Sequence, residues 1–127
     1  MDMEAKNWRT LTPEEERVIV RKGTEYPFTG QYNKWEEKGT FVCRRCEAPL
    51  YSSSDKFDSG CGWPSFYEPI RTNSVLYKED LSYGMTRTEV LCGRCDAHLG
   101  HVFDDGPNPT GKRFCMNSIS MDFEPQK

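Results

Sequence analysis

The chain contains Cys43-Arg44-Arg45-Cys46 and, further along, Cys92-Gly93-Arg94-Cys95. Each is a C-x-x-C knuckle, and two knuckles together supply the four thiolates of a tetrahedral zinc site. About 45 residues separate them, so one shared metal ion would close a long loop and join two distant parts of the chain. We therefore expect a single structural Zn²⁺, and four thiolate ligands would leave it no open position for catalysis. The expected ligands are Cys43, Cys46, Cys92 and Cys95.

Two other metal assignments stay open at this point. A rubredoxin-type iron ion also takes four thiolates, although nothing else in the sequence indicates electron transfer. His98 and His101 follow the second knuckle at intervals of three residues and would be ligands in a mixed site, but cysteines elsewhere would then lack a partner. If the four cysteines bind the metal, both imidazoles are available for acid–base chemistry, or are simply solvated or core residues.

The composition indicates one small domain. The chain has 127 residues, of which 35% are hydrophobic and 29% are charged, which is enough for one hydrophobic core. We expect a single domain over residues 1–127, with a helical segment at about 12–22 and a β-domain at about 40–123. The net charge of −3 lacks the basic character of proteins that bind phosphate backbones, so we expect no nucleic-acid partner.

The sequence carries no sign of export or membrane insertion. Residues 1–7 do not resemble a secretory signal or a transit peptide, and no apolar run is long enough to span a bilayer. We therefore expect a cytoplasmic protein that does not bind membranes, and we expect a monomer. The six cysteines could instead form three disulfides, but thiols stay reduced in the cytosol, where C-x-x-C indicates metal binding or redox chemistry.

Local patterns predict a short helix followed by antiparallel β-structure. Thr12-Pro13-Glu14-Glu15 has an N-cap threonine, a proline at the first helical position and the glutamate of a capping box. The helix should continue to Lys22, Gly23 should end it, and Val18 and Ile19 should face inward. Each knuckle should lie at the tip of a hairpin. The predicted strands are 40–42, 75–77, 86–91, 101–103 and 114–123.

One of the two remaining cysteines, Cys115, has neighbours suited to chemistry. Alternate residues of a strand share one face, so Arg113, Cys115 and Asn117 should point the same way. A guanidinium beside a thiol favours the thiolate, which is the nucleophilic form. Asn117 could hold a substrate oxygen or a water molecule there. The alternative for Cys115 is a buried, inert cysteine.

The other remaining cysteine, Cys61, lies between two glycines. Gly60 and Gly62 allow backbone conformations that are closed to other residues, and they allow movement when a disulfide forms. Such mobility suits a resolving thiol. Trp63 and Phe66 on the same loop offer an aromatic surface for a small apolar group such as a methyl, although core packing is the alternative for both rings.

Three segments of the sequence resemble the methionine-R-sulfoxide reductase B family in its zinc-containing, two-cysteine form. They are residues 60–66, 98–103 and 113–118, which occur in order with the two knuckles, and the resemblance extends from about residue 11 to 123. It implies a mainly β fold of two antiparallel sheets with a short N-terminal helix, and a zinc clip on the side away from catalysis. It also implies an oxidoreductase that repairs oxidised methionine at the R epimer, with protein-bound methionine favoured as substrate.

The resemblance further implies a role for each candidate residue. Cys115 matches the family's catalytic cysteine and Cys61 the resolving one, whereas some relatives lack the second cysteine or carry selenocysteine at the first position. Sulfur at both positions implies recycling by thioredoxin. Trp63 matches the residue that contacts the S-methyl group of the substrate. The remaining active-site positions are matched by His98, His101, Asn117 and Arg113.

The implied reaction has two chemical steps. The Cys115 thiolate attacks the sulfoxide while an acid donates a proton to its oxygen, so that methionine leaves and Cys115 becomes a sulfenic acid. Cys61 then attacks the sulfenic acid, which produces a Cys61–Cys115 disulfide and water. A low-potential dithiol such as thioredoxin must reduce that disulfide before the next turnover.

Two other functions stay open from the sequence. A zinc-ribbon module that binds another protein would leave Cys61 and Cys115 merely buried, and it would not consume sulfoxide. A general dithiol oxidoreductase usually places both redox cysteines in one C-x-x-C motif, whereas both such motifs here are better used as a metal site. Zinc content separates these readings, because bound metal together with two further reactive thiols favours the reductase.

Overall fold

The fold is that of a computed structural model, which describes residues 9–26, 29–33 and 35–126. Within these ranges the chain forms one α-helix and nine β-strands, and no helix there is long and apolar enough to cross a membrane. Residues 1–7, on which the prediction about export depends, lie outside the described residues. The elements are α1 (Pro13–Ile19), β1 (Gly39–Cys43), β2 (Pro49–Ser52), β3 (Lys56–Phe57), β4 (Ser65–Phe66), β5 (Val75–Asp80), β6 (Arg87–Cys92), β7 (His98–Phe103), β8 (Arg113–Met116) and β9 (Met121–Pro125).

The N-terminus of α1 has the predicted capping box. Thr12 Oγ1 accepts a hydrogen bond from Glu15 N at 3.2 Å, and Glu15 Oε1 accepts one from Thr12 N at 2.9 Å. These bonds satisfy backbone N–H groups that have no partner inside the helix. Val18 and Ile19, which were predicted to face inward, are buried.

The predicted end of the helix is wrong, because α1 stops at Ile19 instead of Lys22. The residue in the left-handed conformation is Lys22, with φ of 63°, and not Gly23. Gly23 N donates to Arg17 O at 2.9 Å, and a Cβ at position 23 would also lie 2.9 Å from that oxygen. Glycine is therefore needed at position 23 for the close approach of two backbone segments, and not for its φ angle.

The strands form two antiparallel sheets, which confirms the predicted fold class. In the described part of the chain, a three-stranded sheet has the order β2-β1-β9 and a six-stranded sheet has the order β3-β4-β8-β7-β6-β5. Each knuckle lies at the turn of a hairpin, as predicted, the first between β1 and β2 and the second between β6 and β7. Strands β2, β3 and β4 were not predicted. The last two have only two residues each, which is too short to show alternation.

The single strand predicted over residues 114–123 is wrong, because the chain changes sheets there. Strand β8 lies in the larger sheet and β9 in the smaller one, and a 3₁₀ helix (Ser118–Ser120) separates them. Ser120 Oγ donates to His98 O at 2.8 Å, and Ser118 Oγ accepts from Tyr32 N at 3.0 Å. These hydroxyls bind backbone groups outside the strand ladder, so the segment turns inward instead of continuing the strand.

The core lies where aromatic rings from both sheets meet. Phe66 of β4 stacks on Tyr51 of β2 with ring centroids 4.4 Å apart, and Phe41 of β1 meets Phe66 edge-on at 5.2 Å. Phe66 is fully buried, which favours the core-packing alternative over contact with a substrate. Side chains alternate along a strand, so the preceding Ser65 points the opposite way, and it pairs in register with Cys115.

Candidate active site

The four knuckle cysteines form one buried cluster that fits a metal ion. Their sulfur atoms all lie within 4.8 Å of one another, with Cys43 Sγ 3.5 Å from Cys95 Sγ and Cys46 Sγ 3.6 Å from Cys92 Sγ. A tetrahedral zinc ion with Zn–S bonds of about 2.3 Å holds its sulfurs about 3.8 Å apart. The spacing and the all-sulfur donor set are therefore those of a closed structural zinc site.

Both knuckles have the same backbone turn. Glu47 N donates to Cys43 O at 2.9 Å in the first, and Asp96 N donates to Cys92 O at 3.0 Å in the second. Glu47 and Asp96 are both left-handed, with φ of 67° and 64°. One hairpin belongs to the smaller sheet and the other to the larger sheet, so the cysteine cluster joins the two sheets.

A cleft of about 290 Å³ lies over the larger sheet. It brings together most of the predicted catalytic residues, because β7 and β8 are adjacent and the loop before β4 lies against β8. The knuckle cysteines are not part of its wall. The lining residues are Thr24, Cys61, Trp63, Arg87, Gly100, His101, Phe103, Arg113, Cys115 and Asn117.

Cys115 lies on β8 with a strand on each side. It pairs in register with Ser65 of β4 and with His101 of β7. Its Sγ lies 2.8 Å from Cys61 Sγ, and both residues are free cysteines. Arg113 Nη1 donates to Cys115 Sγ at 2.9 Å, which is the contact that the alternating pattern predicted. The cleft therefore holds two adjacent sulfurs and a cation.

Arg113 is held by two residues that sequence analysis did not identify. Its Nε donates to Asp105 Oδ1 at 2.8 Å, and its guanidinium carbon lies 4.5 Å from the centroid of the Phe103 ring. The bond to Asp105 raises the pKa of Arg113, which keeps the side chain charged. Asp105 lies in the turn-forming segment just after β7. The only feature of the sequence that could have identified it is its position just after a predicted strand. These contacts hold the cation beside the Cys115 sulfur.

Two glycines shape the loop that carries Cys61. Gly60 and Gly62 have left-handed φ angles of 76° and 95°, a conformation that other residues adopt only at a cost. Ser59 Oγ donates to Cys61 Sγ at 3.0 Å, and Ser65 Oγ lies 3.5 Å from the same sulfur. The backbone freedom predicted for these glycines is thus used to bring Cys61 to Cys115.

The thiols of Cys61 and Cys115 titrate as a pair. Burial alone would raise the pKa of Cys61, but hydrogen bonds from Cys115, Ser59 and Ser65 outweigh burial and lower that pKa to about 7. Burial, followed by the contact with Cys61, raises the pKa of Cys115 to about 12, although Arg113 opposes the rise. Two thiolates this close would repel, so the pair carries one negative charge between these values. Ionisation is favoured at Cys61, whereas Arg113 favours the thiolate of Cys115 in the direction that the sequence predicted.

His101 is the histidine that reaches the cleft. Its Nε2 lies 2.7 Å from Asp80 Oδ2, an oxygen that also accepts from Arg87 Nη2 at 3.3 Å. Hydrogen bonds from Ser82, and then the bond to His101, hold the pKa of Asp80 well below its usual range. Asp80 is therefore ionised and orients the His101 imidazole. Sequence analysis missed Asp80, which lies at the end of β5 and far from the recognised segments.

His98 lies behind His101 and does not line the cleft. The two rings are 5.6 Å apart between centroids, and only 2% of His98 is exposed. His98 Nδ1 lies 2.8 Å from Glu89 Oε2, and Lys22 Nζ lies 3.2 Å from Glu89 Oε1. Burial lowers the pKa of His98, whereas the bond to Glu89 opposes that shift. Sequence analysis missed Glu89, which lies on β6 and pairs in register with His101. A carboxylate inside a predicted strand was a signal that could have identified it.

Asn117 lies one residue beyond β8, so the alternating pattern did not describe its position correctly. Its Nδ2 donates to Leu99 O at 3.1 Å, and its Oδ1 accepts from Glu25 N at 3.1 Å. These bonds hold a buried amide at the wall of the cleft. Trp63, also at the wall, donates from Nε1 to Glu25 O at 3.0 Å. Sequence analysis missed Glu25, and no sequence signal could have found it.

Comparisons with known proteins show the family to which the chain is similar. A family model described as the SelR domain matches residues 11–125. A protein of Pseudomonas putida named peptide methionine sulfoxide reductase MsrB is 54% identical over 127 residues, which is 99% of this chain and 96% of the relative. A protein of Acinetobacter baylyi with the same name is 57% identical over 117 residues, 91% of this chain and 84% of the relative.

Proposed function

This chain belongs to the SelR family, the B-type methionine sulfoxide reductases, and on this premise we propose that it reduces methionine sulfoxide to methionine at the R epimer, with protein-bound methionine favoured. The observation that supports this best is the pair of free sulfurs, Cys61 Sγ and Cys115 Sγ, 2.8 Å apart in a cleft with Arg113. A nucleophilic thiol and a resolving thiol at this separation are what sulfoxide reduction through a disulfide requires.

The substrate orientation follows from the chemistry of the cleft wall. The Trp63 ring offers an apolar surface to the S-methyl group, and the sulfoxide oxygen faces His101 and Asn117. His98 acts from behind His101 and does not touch the substrate. This arrangement distinguishes the two epimers, because exchanging methyl and oxygen would place the oxygen against the indole ring.

The first chemical step transfers oxygen from the substrate sulfur to Cys115. The proton of Cys115 moves to the Cys61 thiolate, and the Cys115 thiolate then attacks beside Arg113. The S–O bond of the substrate breaks, a new S–O bond forms on Cys115, and His101 supplies the one proton consumed. Cys115 is oxidised to a sulfenic acid, and the sulfoxide sulfur is reduced to the thioether of methionine.

The second step and the recycling use Cys61. Its thiol condenses with the Cys115 sulfenic acid, which releases water and forms a Cys61–Cys115 disulfide. Cys115 is 8% exposed, whereas Cys61 is only partly buried, so an external thiolate reaches Cys61 first. Thioredoxin, a low-potential dithiol, is the reductant that we propose for this exchange.

The cysteine cluster supplies stability in this proposal and takes no part in the reaction. Cys43, Cys46, Cys92 and Cys95 would hold one zinc ion, whose four sulfur ligands clip the two sheets together. Several properties remain predictions from the sequence. They are a role in oxidative stress, a cytoplasmic location, a single-domain monomer and the absence of membrane and nucleic-acid partners.

The direct test is reduction of a blocked methionine sulfoxide, with the R and S epimers assayed separately and a dithiol supplied. We expect turnover of the R epimer alone, and we expect Cys115→Ser to abolish it. The matched control is Ser54→Ala, which changes an exposed residue outside the cleft and should leave the rate unchanged. No turnover of either epimer by folded, zinc-loaded protein would contradict the proposal and favour a zinc-ribbon interaction module.

A further inference from the structure

Glu25, in the segment after α1, connects two walls of the active site through its backbone. Its N–H donates to Asn117 Oδ1 at 3.1 Å, and its carbonyl oxygen accepts from Trp63 Nε1 at 3.0 Å. Asn117 and Trp63 both line the cleft, and they are the residues proposed to face the sulfoxide oxygen and the S-methyl group. One residue thus sets the spacing between the two groups that hold the substrate.

The side chain of Glu25 anchors the segment that follows the catalytic strand. Glu25 Oε2 accepts from Ser118 N at 2.9 Å, and Oε1 accepts from Ile119 N at 3.2 Å. These N–H groups begin the 3₁₀ helix and have no partner within it. Asn117 is the N-cap residue of that helix, yet its side chain makes no capping bond. Glu25 caps the helix in its place, and the Asn117 side chain instead bonds Glu25 N and Leu99 O at the cleft wall.

The surroundings of the Glu25 carboxylate are closely fitted to it. Glu25 is 8% exposed, and a buried carboxyl group is costly unless it is hydrogen-bonded. A Cβ at Gly30 would overlap both Glu25 Oε2 and Ser118 Oγ. Glycine at position 30 therefore lets the chain close over the carboxylate, and any larger residue would push the carboxylate away from the helix.

We propose that Glu25 is a positioning residue that sets substrate selectivity, a role that rests on the proposed sulfoxide reductase function. It holds Trp63 and the Asn117 amide at a fixed separation without touching the substrate. The Trp63 ring bounds the place proposed for the S-methyl group, so a larger S-alkyl group must displace Trp63. Loss of the Glu25 contacts should therefore weaken the preference for methyl over larger groups, beyond any general loss of activity.

Glu25→Gln is the direct test, because glutamine keeps the shape but offers one acceptor oxygen to two N–H donors. We expect kcat/KM for a blocked methionine R-sulfoxide to fall by about tenfold or more. We expect the ratio of kcat/KM between S-methyl and S-ethyl sulfoxides to fall by about tenfold as well. Gly30→Ala, which pushes on the same carboxylate, should lower the ratio in the same direction and serves if the first variant does not fold.

The matched control is Leu50→Ala, in the buried core of β2. It should lower stability but leave the methyl-to-ethyl ratio unchanged, since Leu50 is not among the residues that line the cleft. An unchanged ratio in folded Glu25→Gln and folded Gly30→Ala would overturn the positioning role. A ratio that falls equally in Leu50→Ala would overturn it too, because selectivity would then follow stability alone.

A second measurement does not depend on activity. Subtracting the fluorescence of a Trp63→Phe protein from that of the parent protein gives the emission of Trp63. The same subtraction between Glu25→Gln and the double variant with Trp63→Phe gives that emission when Glu25 is replaced. We expect that emission to shift to longer wavelength in Glu25→Gln, because the weakened side-chain anchor lets the Glu25 backbone, which holds Trp63 Nε1, move and expose the ring to water. Unchanged Trp63 emission would overturn the placement by Glu25. If the parent protein reduced no sulfoxide, the proposed function would fail separately, and a Trp63 shift would still support the placement.

Discussion

Reactivity at the residue scale depends on where one negative charge lies. The pKa of Cys61 is lowered to about 7 and that of Cys115 is raised to about 12, so Cys61 is favoured to ionise first. Arg113 Nη1, 2.9 Å from Cys115 Sγ, offsets part of the cost of moving that charge to the nucleophile. In the proposed mechanism Cys61 therefore acts twice, first as the base for Cys115 and then as the resolving thiol.

Replacing Cys61 with serine should leave a single turnover and stop recycling. We expect one methionine per protein molecule, because Cys115 still attacks but no thiol resolves the sulfenic acid. In the parent protein the single-turnover rate should be half-maximal near pH 7, the pKa of Cys61. In Cys61→Ser this midpoint should rise, because the proton must now leave Cys115, and burial raises the pKa of Cys115. Rapid-quench assays across pH check both points. Repeated turnover with thioredoxin, or an unchanged pH profile, would contradict the role of Cys61.

Glu89 should control the protonation of His98. Glu89→Gln removes the carboxylate that opposes the effect of burial, so the pKa of His98 should fall further. The chain has two histidines, so proton NMR of the imidazole signals can follow each one directly. We expect the rate of sulfoxide reduction at neutral pH to fall severalfold. Glu124→Gln, on β9 in the other sheet, is the control, and an equal titration of His98 in both variants would refute this prediction.

At the scale of elements, the site depends on the close contact of β7 and β8. Gly100 of β7 pairs with Met116 of β8. A Cβ at position 100 would overlap the carbonyl oxygen of Cys115 and approach Met116 Cα to 2.9 Å. The missing side chain therefore allows the strands that carry His101 and Cys115 to lie side by side.

Gly100→Ala should separate these strands. We expect the free energy of unfolding to fall by about 3 kcal/mol and single-turnover activity to fall at least tenfold, because the Cys115 backbone must move. Gly84→Ala is the matched control, since its φ of 70° imposes strain but its Cβ would meet open space. It should cost about 1 kcal/mol and leave activity unchanged. Denaturant titration and rapid-quench assays measure both effects, and equal activity of the two variants would contradict the argument.

At the scale of the whole molecule, the cysteine cluster lies where a hairpin of the smaller sheet meets a hairpin of the larger one. Its first knuckle turns from β1 to β2 in the smaller sheet, and its second turns from β6 to β7 in the larger one. The chain itself passes between the sheets from β2 to β3 and from β8 to β9, and the second crossover carries Asn117. A metal ion bound by the cluster would therefore be linked to the placement of β8 through the packing of one sheet on the other.

Cys92→Ser should remove the metal and destabilise the fold together. Apparent binding free energies of structural zinc reach about 10 kcal/mol or more, which is comparable to the whole stability of a domain. We expect little folded protein and no bound zinc, measured by metal analysis and thermal unfolding. Cys61→Ser is the control and should keep both metal and stability, because Cys61 lies outside the cluster. A metal-free Cys92→Ser protein with unchanged thermal stability would contradict the structural role.

Local sequence patterns were sufficient to predict the features that depend on neighbouring residues. The knuckle spacing predicted the cysteine cluster, the capping box predicted the start of α1, and the alternation in β8 predicted the contact of Arg113 with Cys115. Each of these follows from bond geometry or helix and strand periodicity within a few residues. The order of the recognised segments was enough to identify the family, which the comparisons confirm.

Only the tertiary structure decided which residues meet in the cleft. It placed Phe66 in the core, set His98 behind His101, and made Glu25 a common partner of Trp63 and Asn117. It also put the lower pKa on Cys61, because burial and the facing sulfur act on Cys115 more strongly than Arg113 does. These outcomes depend on contacts between residues far apart in the chain. Burial and electrostatic coupling act through space, so they cannot be predicted from the spacing of residues in the sequence.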